Sequence, residues 1–145
     1  MRPGKIITRD KDIRNILENS RTIAILGLSP KTGRDSHKVG QYLQAAGYRI
    51  IPVRPAQKQI LGEKAFKSLD ELKQPVDIVD VFRNPAMIEA HAIEALRLKP
   101  KVFWMQLGIE NFRAALMLNA AGIDVVMNRC IKVDHARLFR QTDIS

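Results

Sequence analysis

Gly27, Ser29, Lys31, Gly33, Arg34, Ser36 and Lys38 crowd one short stretch of this chain, at the end of the apolar run Thr22 to Leu28. Their shared chemistry is the binding of phosphate oxygens. Hydroxyls and cations attract an anion, and glycine lets the backbone approach closely. A helix opening at Ser36, with that serine as its cap, adds unpaired N–H groups and the positive end of its dipole. Neither common phosphate pattern is present. Gly27 is followed by Leu28-Ser29-Pro30-Lys31-Thr32-Gly33, which is not G-x-G-x-x-G. Gly33 is followed by Arg34-Asp35, not by Lys and then Ser or Thr. The other reading of the loop is a capped helix after a mobile turn with solvated charges.

A second apolar run, Arg49 to Val53, leads into Arg54-Pro55, with Lys58 shortly after. NAD-binding folds place an acid at this point to hold the ribose hydroxyls. A cation there suits a phosphate on the ribose. NADP and coenzyme A both carry one, and an ordinary exposed arginine is the alternative. Three more apolar runs end in groups with binding chemistry. Phe82-Arg83-Asn84-Pro85 offers an aromatic ring, a cation and a helix cap; Gln106-Leu107-Gly108 an amide and a flexible glycine; Asn128-Arg129-Cys130 a further cation. Phe82 and Trp104 are read as core rather than as adenine platforms.

No catalytic set emerges. His37 stands at a helix start, either touching phosphate or solvated. His91 reads as surface among alanines. His135 lies in a tail that would fold over the site, and the spacing of the three suggests no metal centre. Cys130 beside Arg129 is either a buried inert thiol or one activated by its neighbour and able to form a mixed disulfide. Asp77 and Asp80 are three apart in a strand, so they face opposite ways and make no acid–base pair. Asp80 is expected to accept backbone N–H groups from a neighbouring loop.

The elements that would position these residues alternate. An amphipathic helix is predicted over 9–20, capped by Asp10. Strands are predicted over Thr22–Leu28, Arg49–Val53, Val76–Phe82, Lys101–Gln106 and Asp124–Met127. Helices are predicted from Ser36 to Ala46 and, capped by Asn84 with Pro85 first, through Leu96. Another runs from Asn111 to Ala121, and a final one occupies the tail, Ile131–Phe139. Ser68-Leu-Asp-Glu71 reads as a capping box opening a short helix after a loose segment. This pattern predicts a single α/β, Rossmann-like domain over 1–145, with a five-stranded, mostly parallel sheet flanked by helices. Its parts are the N-terminal helix, a core over 22–130 and a tail over 131–145. Ligands of such sheets bind beyond the C-terminal strand ends, where all the segments above converge.

Composition sets broad limits. The chain has 145 residues and a formal charge of +9, with 46% hydrophobic and 27% charged residues. The apolar runs are too short for a membrane span, and Met1-Arg-Pro-Gly-Lys5 lacks a secretory apolar region. One cysteine cannot pair internally, so a cytoplasmic protein is expected. The charge admits nucleic acid, but no basic run and no aromatic-interleaved basic stretch supports it.

The chain resembles the small stand-alone coenzyme A-binding proteins of bacteria, which are similar to the nucleotide-binding domain of the succinyl-CoA synthetase alpha subunit. The matching pieces are Ala24–Ser29, Gly47–Val53, Leu61-Gly-Glu63, Val76–Phe82, Trp104–Gly108 and Val126–Cys130, spread over roughly residues 20–138. The resemblance implies a Rossmann-like fold and a CoA or acyl-CoA ligand. Its phosphates would lie on Gly27, Ser29 and Ser36, with Lys38 nearby, and its adenosine end by Val53, Arg54, Pro55 and Lys58. The pantetheine arm would pass Phe82, Arg83 and Asn84 toward Gln106 and Gly108. Pro30, Arg34 and Arg129 complete the candidate binding set. Two positions depart from the family pattern: Arg54 stands where asparagine is common and Asn128 where aspartate is common. The synthetase chemistry uses a phosphorylated histidine in a second domain, for which this chain has no room. The expected function is therefore a CoA or acyl-CoA binding module without a catalytic centre. An NADP-dependent or CoA-thioester-handling enzyme is the alternative, and a nucleic-acid-binding protein a third.

Overall fold

A computed structural model describes residues 2–139 of the chain. Helix α1 is Asp10–Glu18, strand β1 Thr22–Leu26, helix α2 Asp35–Ala45 and strand β2 Arg49–Val53. A small hairpin follows, β3 (Gln59–Ile60) and β4 (Glu63–Lys64). Then come β5 (Ile78–Val81), α3 (Ile88–Leu98), β6 (Val102–Met105), α4 (Phe112–Ala120), β7 (Asp124–Val126) and α5 (Ile131–Phe139). The main sheet has the order β2-β1-β5-β6-β7, and every neighbouring pair is parallel. Strand order reverses between β1 and β5, so a crevice opens there at the C-terminal strand ends.

The alternation of side chains along each strand builds two cores. Ile23, Ile25, Ile50, Ile78, Trp104 and Val126 pack with Ile13 and Leu17 of α1, Val39 and Leu43 of α2 and Ile131 of α5. Ala24, Leu26, Ile51, Val79, Phe103 and Val125 pack on the other face with Ile88 and Ala92 of α3 and Ala115 and Leu118 of α4. Burial on both faces explains why the strands read as continuous apolar runs.

Each margin of the sheet is covered in part. Residues 4–7 run beside β7: the Val125 N–H donates to the Lys5 carbonyl at 2.9 Å, and the Ile7 N–H to the Val125 carbonyl at 2.8 Å. Beside β2, the Phe66 N–H donates to the Pro52 carbonyl at 2.9 Å, and the Arg54 N–H to the Phe66 carbonyl at 2.7 Å.

Several boundaries differ from those expected. β1 ends at Leu26 because Gly27, at φ +82°, turns the chain out of the sheet. Helix α1 is shorter than 9–20, and Asp10 is its first residue rather than its cap; the carboxylate instead takes Arg137 in two bonds of 2.7 and 2.8 Å. Helix α2 begins one residue early, with Arg34 at the cap position and no side-chain cap. The capping box at Ser68 yields only a 3₁₀ turn over Leu69–Glu71, because Glu71 reaches the N–H of Lys67 and Ser68 makes no cap bond. The segment read as loose contains the β3–β4 hairpin, turned by Leu61 and Gly62 at φ +54° and +77°.

Candidate functional site

The loop leaving β1 is knitted by its own polar groups. The Gly27 N–H donates to the Val53 carbonyl at 2.9 Å. An ideal Cβ on Gly27 would lie 2.2 Å from the Phe82 carbonyl oxygen, so glycine is required where β1 and β5 diverge. Ser29 is buried. Its N–H donates to the Ser36 hydroxyl at 2.9 Å, its own hydroxyl accepts the Lys31 N–H at 3.1 Å, and its carbonyl lies 2.8 Å from His37 Nδ1. From the next strand end Arg54 reaches back, donating through Nη1 to the Gly27 carbonyl at 3.3 Å. The first N–H groups of α2 have no intrahelical acceptor and point toward this loop.

A cavity of about 500 Å³ opens over these groups, lined by Gly27, Ser29, Pro30, Lys31, Arg34, Asp35, Ser36, Arg54, Gln57 and Phe82. Three cations and one carboxylate, Asp35, face it, which with the helix end favours an anion. A second cavity of about 510 Å³ adjoins it, sharing Asp35 and Phe82. Its other walls are Lys38, Val39, Arg83, Gln106, Leu107, Ile109, Cys130, Lys132 and Val133. This half is more apolar: Leu107 and Val133 stand exposed at its rim, and Gln106 is nearly buried at its wall.

The expected site residues divide accordingly. Gly27, Ser29, Pro30, Arg34, Ser36, Arg54 and Phe82 line the first cavity; Lys38, Arg83, Gln106 and again Phe82 line the second. Lys38 thus stands on the apolar side rather than beside the loop's other cations. Val53 lines neither cavity, being packed into the α3–α4 core. Pro55 and Lys58 are exposed and outside both, where the chain turns at Ala56 with φ +64°. Asn84 spends its side chain accepting the Ala86 N–H at 3.0 Å, the cap role expected of it. Gly108 donates its N–H to Asn128 Oδ1 at 2.6 Å. Arg129 turns away to Asp134, at 2.7 and 3.2 Å.

Asp35, Gln57 and Ile109 line the cavities from the strand-end loops, whereas Lys132 and Val133 do so without having been expected there. Lys132 and Val133 belong to α5, and only the docking of that helix against α1 and α2 brings them in.

The histidines correct their readings. His37 is buried on the Ser29 carbonyl and lines neither of the two cavities. His91, expected on the surface, is buried between Glu94 at 2.8 Å and Arg83 at 3.4 Å. His135 packs among Tyr42, Tyr48 and Phe139 and lies over neither cavity.

Asp77, just before β5, takes the role expected of Asp80. Asp77 accepts backbone N–H groups, from Arg21 at 2.8 Å and Thr22 at 3.0 Å. Burial works against its charge, but these bonds and Lys101 outweigh it and hold the carboxyl below the usual range. Asp80 is fully buried, at 0% exposure, and its one bond comes from the Gln106 side-chain amide. Its Oδ2 has no partner. Burial therefore pushes this carboxyl well above its ordinary value, with the Gln106 bond opposing weakly. An unpaired neutral oxygen costs about 1–3 kcal/mol and an unpaired charged one more, so burial here favours the protonated form of Asp80.

Among the described residues, no cluster of His, Cys, Asp and Glu could hold a metal ion, and no helix is long and apolar enough to cross a membrane.

Comparison with known proteins places this geometry in a family. A family model described as "CoA binding domain" matches residues 21–136. The uncharacterized protein YneT of Bacillus subtilis is 46% identical over 125 residues, covering 86% of this chain and 93% of that protein. A solved structure from Thermus thermophilus superposes with a TM-score of 0.87 at 43% identity, over 91% of this chain and 100% of that one. A hypothetical protein from Pyrococcus horikoshii OT3 does so with a TM-score of 0.87 at 34% identity, over 96% and 99%. A family match across most of the chain, joined to relatives of this identity and length, establishes that the chain belongs to the CoA binding domain family.

Proposed function

We propose that the chain binds coenzyme A or an acyl thioester of it. The phosphates would lie in the loop cavity and the pantetheine arm in the adjoining groove. One observation carries this reading. A basin walled by Lys31, Arg34, Arg54 and the opening of α2 runs, past Phe82, into a mostly apolar groove with one nearly buried amide, Gln106. A ligand that fits both halves has a polyanionic head and a long, largely neutral arm.

Thermal unfolding with CoA, dephospho-CoA, NADP and NAD tests the reading. A ligand at one hundred times its Kd stabilises by about 2.7 kcal/mol. CoA should give the largest shift at equal concentration. A larger shift with NADP, or none with CoA, overturns the proposal.

A further inference from the structure

We propose that Asp80, behind the groove, is a positioning residue. It holds the Gln106 side chain by its amide nitrogen, so that the amide oxygen is what the groove offers and a ligand arm bearing an N–H donor is what it takes. This rests on the reading above, since the pantetheine arm of coenzyme A carries secondary amides. It adds to that reading a group that touches no ligand and a donor–acceptor sense for the groove.

Asp80 stands opposite Trp104 in the parallel β5–β6 pairing, and Gln106 lies two residues beyond Trp104. The two side chains therefore fall on one face of the sheet. Gln106 Nε2 donates to Asp80 Oδ1 at 2.9 Å. Gln106 is only 3% exposed, yet it forms part of the groove wall, whereas Asp80 lines neither cavity. An amide is planar, with its oxygen and nitrogen pointing apart. Once the nitrogen is turned to Asp80, the oxygen is the atom left for the groove. It is absent from the buried atoms without a partner, among which Asp80 Oδ2 stands alone within the described residues. A buried carboxyl with one empty oxygen burdens the fold. Its single hydrogen bond goes to the groove's amide, so its effect falls there.

The test compares binding of CoA with that of adenosine 3′,5′-bisphosphate, which has the phosphates but no arm. Asp80→Leu should weaken CoA about fivefold or more, the worth of an ordinary hydrogen bond, and leave the bisphosphate unchanged. Asp80→Asn, whose side-chain oxygen can accept the same bond, should restore the affinity lost in D80L. If D80L does not fold, Gln106→Leu provides the same comparison, with loss of CoA alone expected. In the NMR spectrum of the wild-type chain, the Gln106 side-chain N–H₂ protons should show contacts to the Asp80 Hβ protons and slow exchange with solvent. Equal loss of both ligands, no loss of either, or an N–H₂ group facing solvent overturns the proposal. Failure of the wild-type chain to bind CoA sinks the ligand reading instead, while the NMR arm still decides how Asp80 holds Gln106.

Discussion

The Ser36 hydroxyl accepts the buried Ser29 N–H at 2.9 Å, so the first turn of α2 closes the loop that leads into it. Ser36→Ala strands that N–H away from water. The expected cost is about 1–3 kcal/mol of stability, read as a lower urea midpoint with an unchanged m-value. CoA affinity should fall with it, because the loop's cations lose their frame.

Arg54 and Arg129 separate the cations of the site from those of the scaffold. Arg54 lines the loop cavity, whereas Arg129 is tied to the buried Asp134. Arg54→Gln should weaken CoA binding about ten- to a hundredfold by calorimetry, the worth of a charged hydrogen bond. If Arg54 holds the ribose phosphate, dephospho-CoA should bind the variant and the wild-type chain alike. Arg129→Ala should lower stability by about 1–3 kcal/mol and leave ligand affinity in place.

Gly27→Ala places a methyl group 2.2 Å from the Phe82 carbonyl oxygen at a φ of +82°. The left-handed backbone alone costs roughly 1–2 kcal/mol, and the collision adds to it. The variant should unfold well below the wild-type midpoint. Gly33→Ala, with nothing within 4 Å of its Cβ, should stay within about 0.5 kcal/mol. Circular dichroism melts of the two variants make the comparison.

Asp80 should leave a mark on the pH dependence of stability. Its folded value is raised above the ordinary 3.8, so between those two values the folded chain keeps a proton that the unfolded chain has released. Stability therefore falls as pH rises through that window. Asp77, with its lowered value, works in the opposite sense but is common to both proteins and cancels. Urea midpoints of wild type and D80N across pH should diverge in favour of D80N above about 3.8 and run parallel once the folded value is passed. A constant separation would count against a buried neutral acid.

The frame was legible because its signals are local. The runs Thr22–Leu26, Ile78–Val81 and Val102–Met105 are mostly apolar and buried on both faces, and Asn84 caps its turn where expected. What stayed hidden depends on partners distant in sequence. Ser36 reads as a cap until Ser29 is seen to need an acceptor. His91 reads as surface until Arg83 arrives from the end of β5. Arg129 reads as a site cation until Asp134, a turn into α5, captures it. The β3–β4 hairpin is two residues on a side, too short for any period to register.

The occupied margins of the main sheet bear on how copies of this chain can meet. Residues 4–7 take the outer side of β7, and Phe66 takes one end of β2, where Pro52 has no N–H to offer. Self-templated strand addition, the usual beginning of fibrils, is thereby blunted on both flanks. A second copy adding a strand at either stretch would first have to displace residues 4–7 or Phe66.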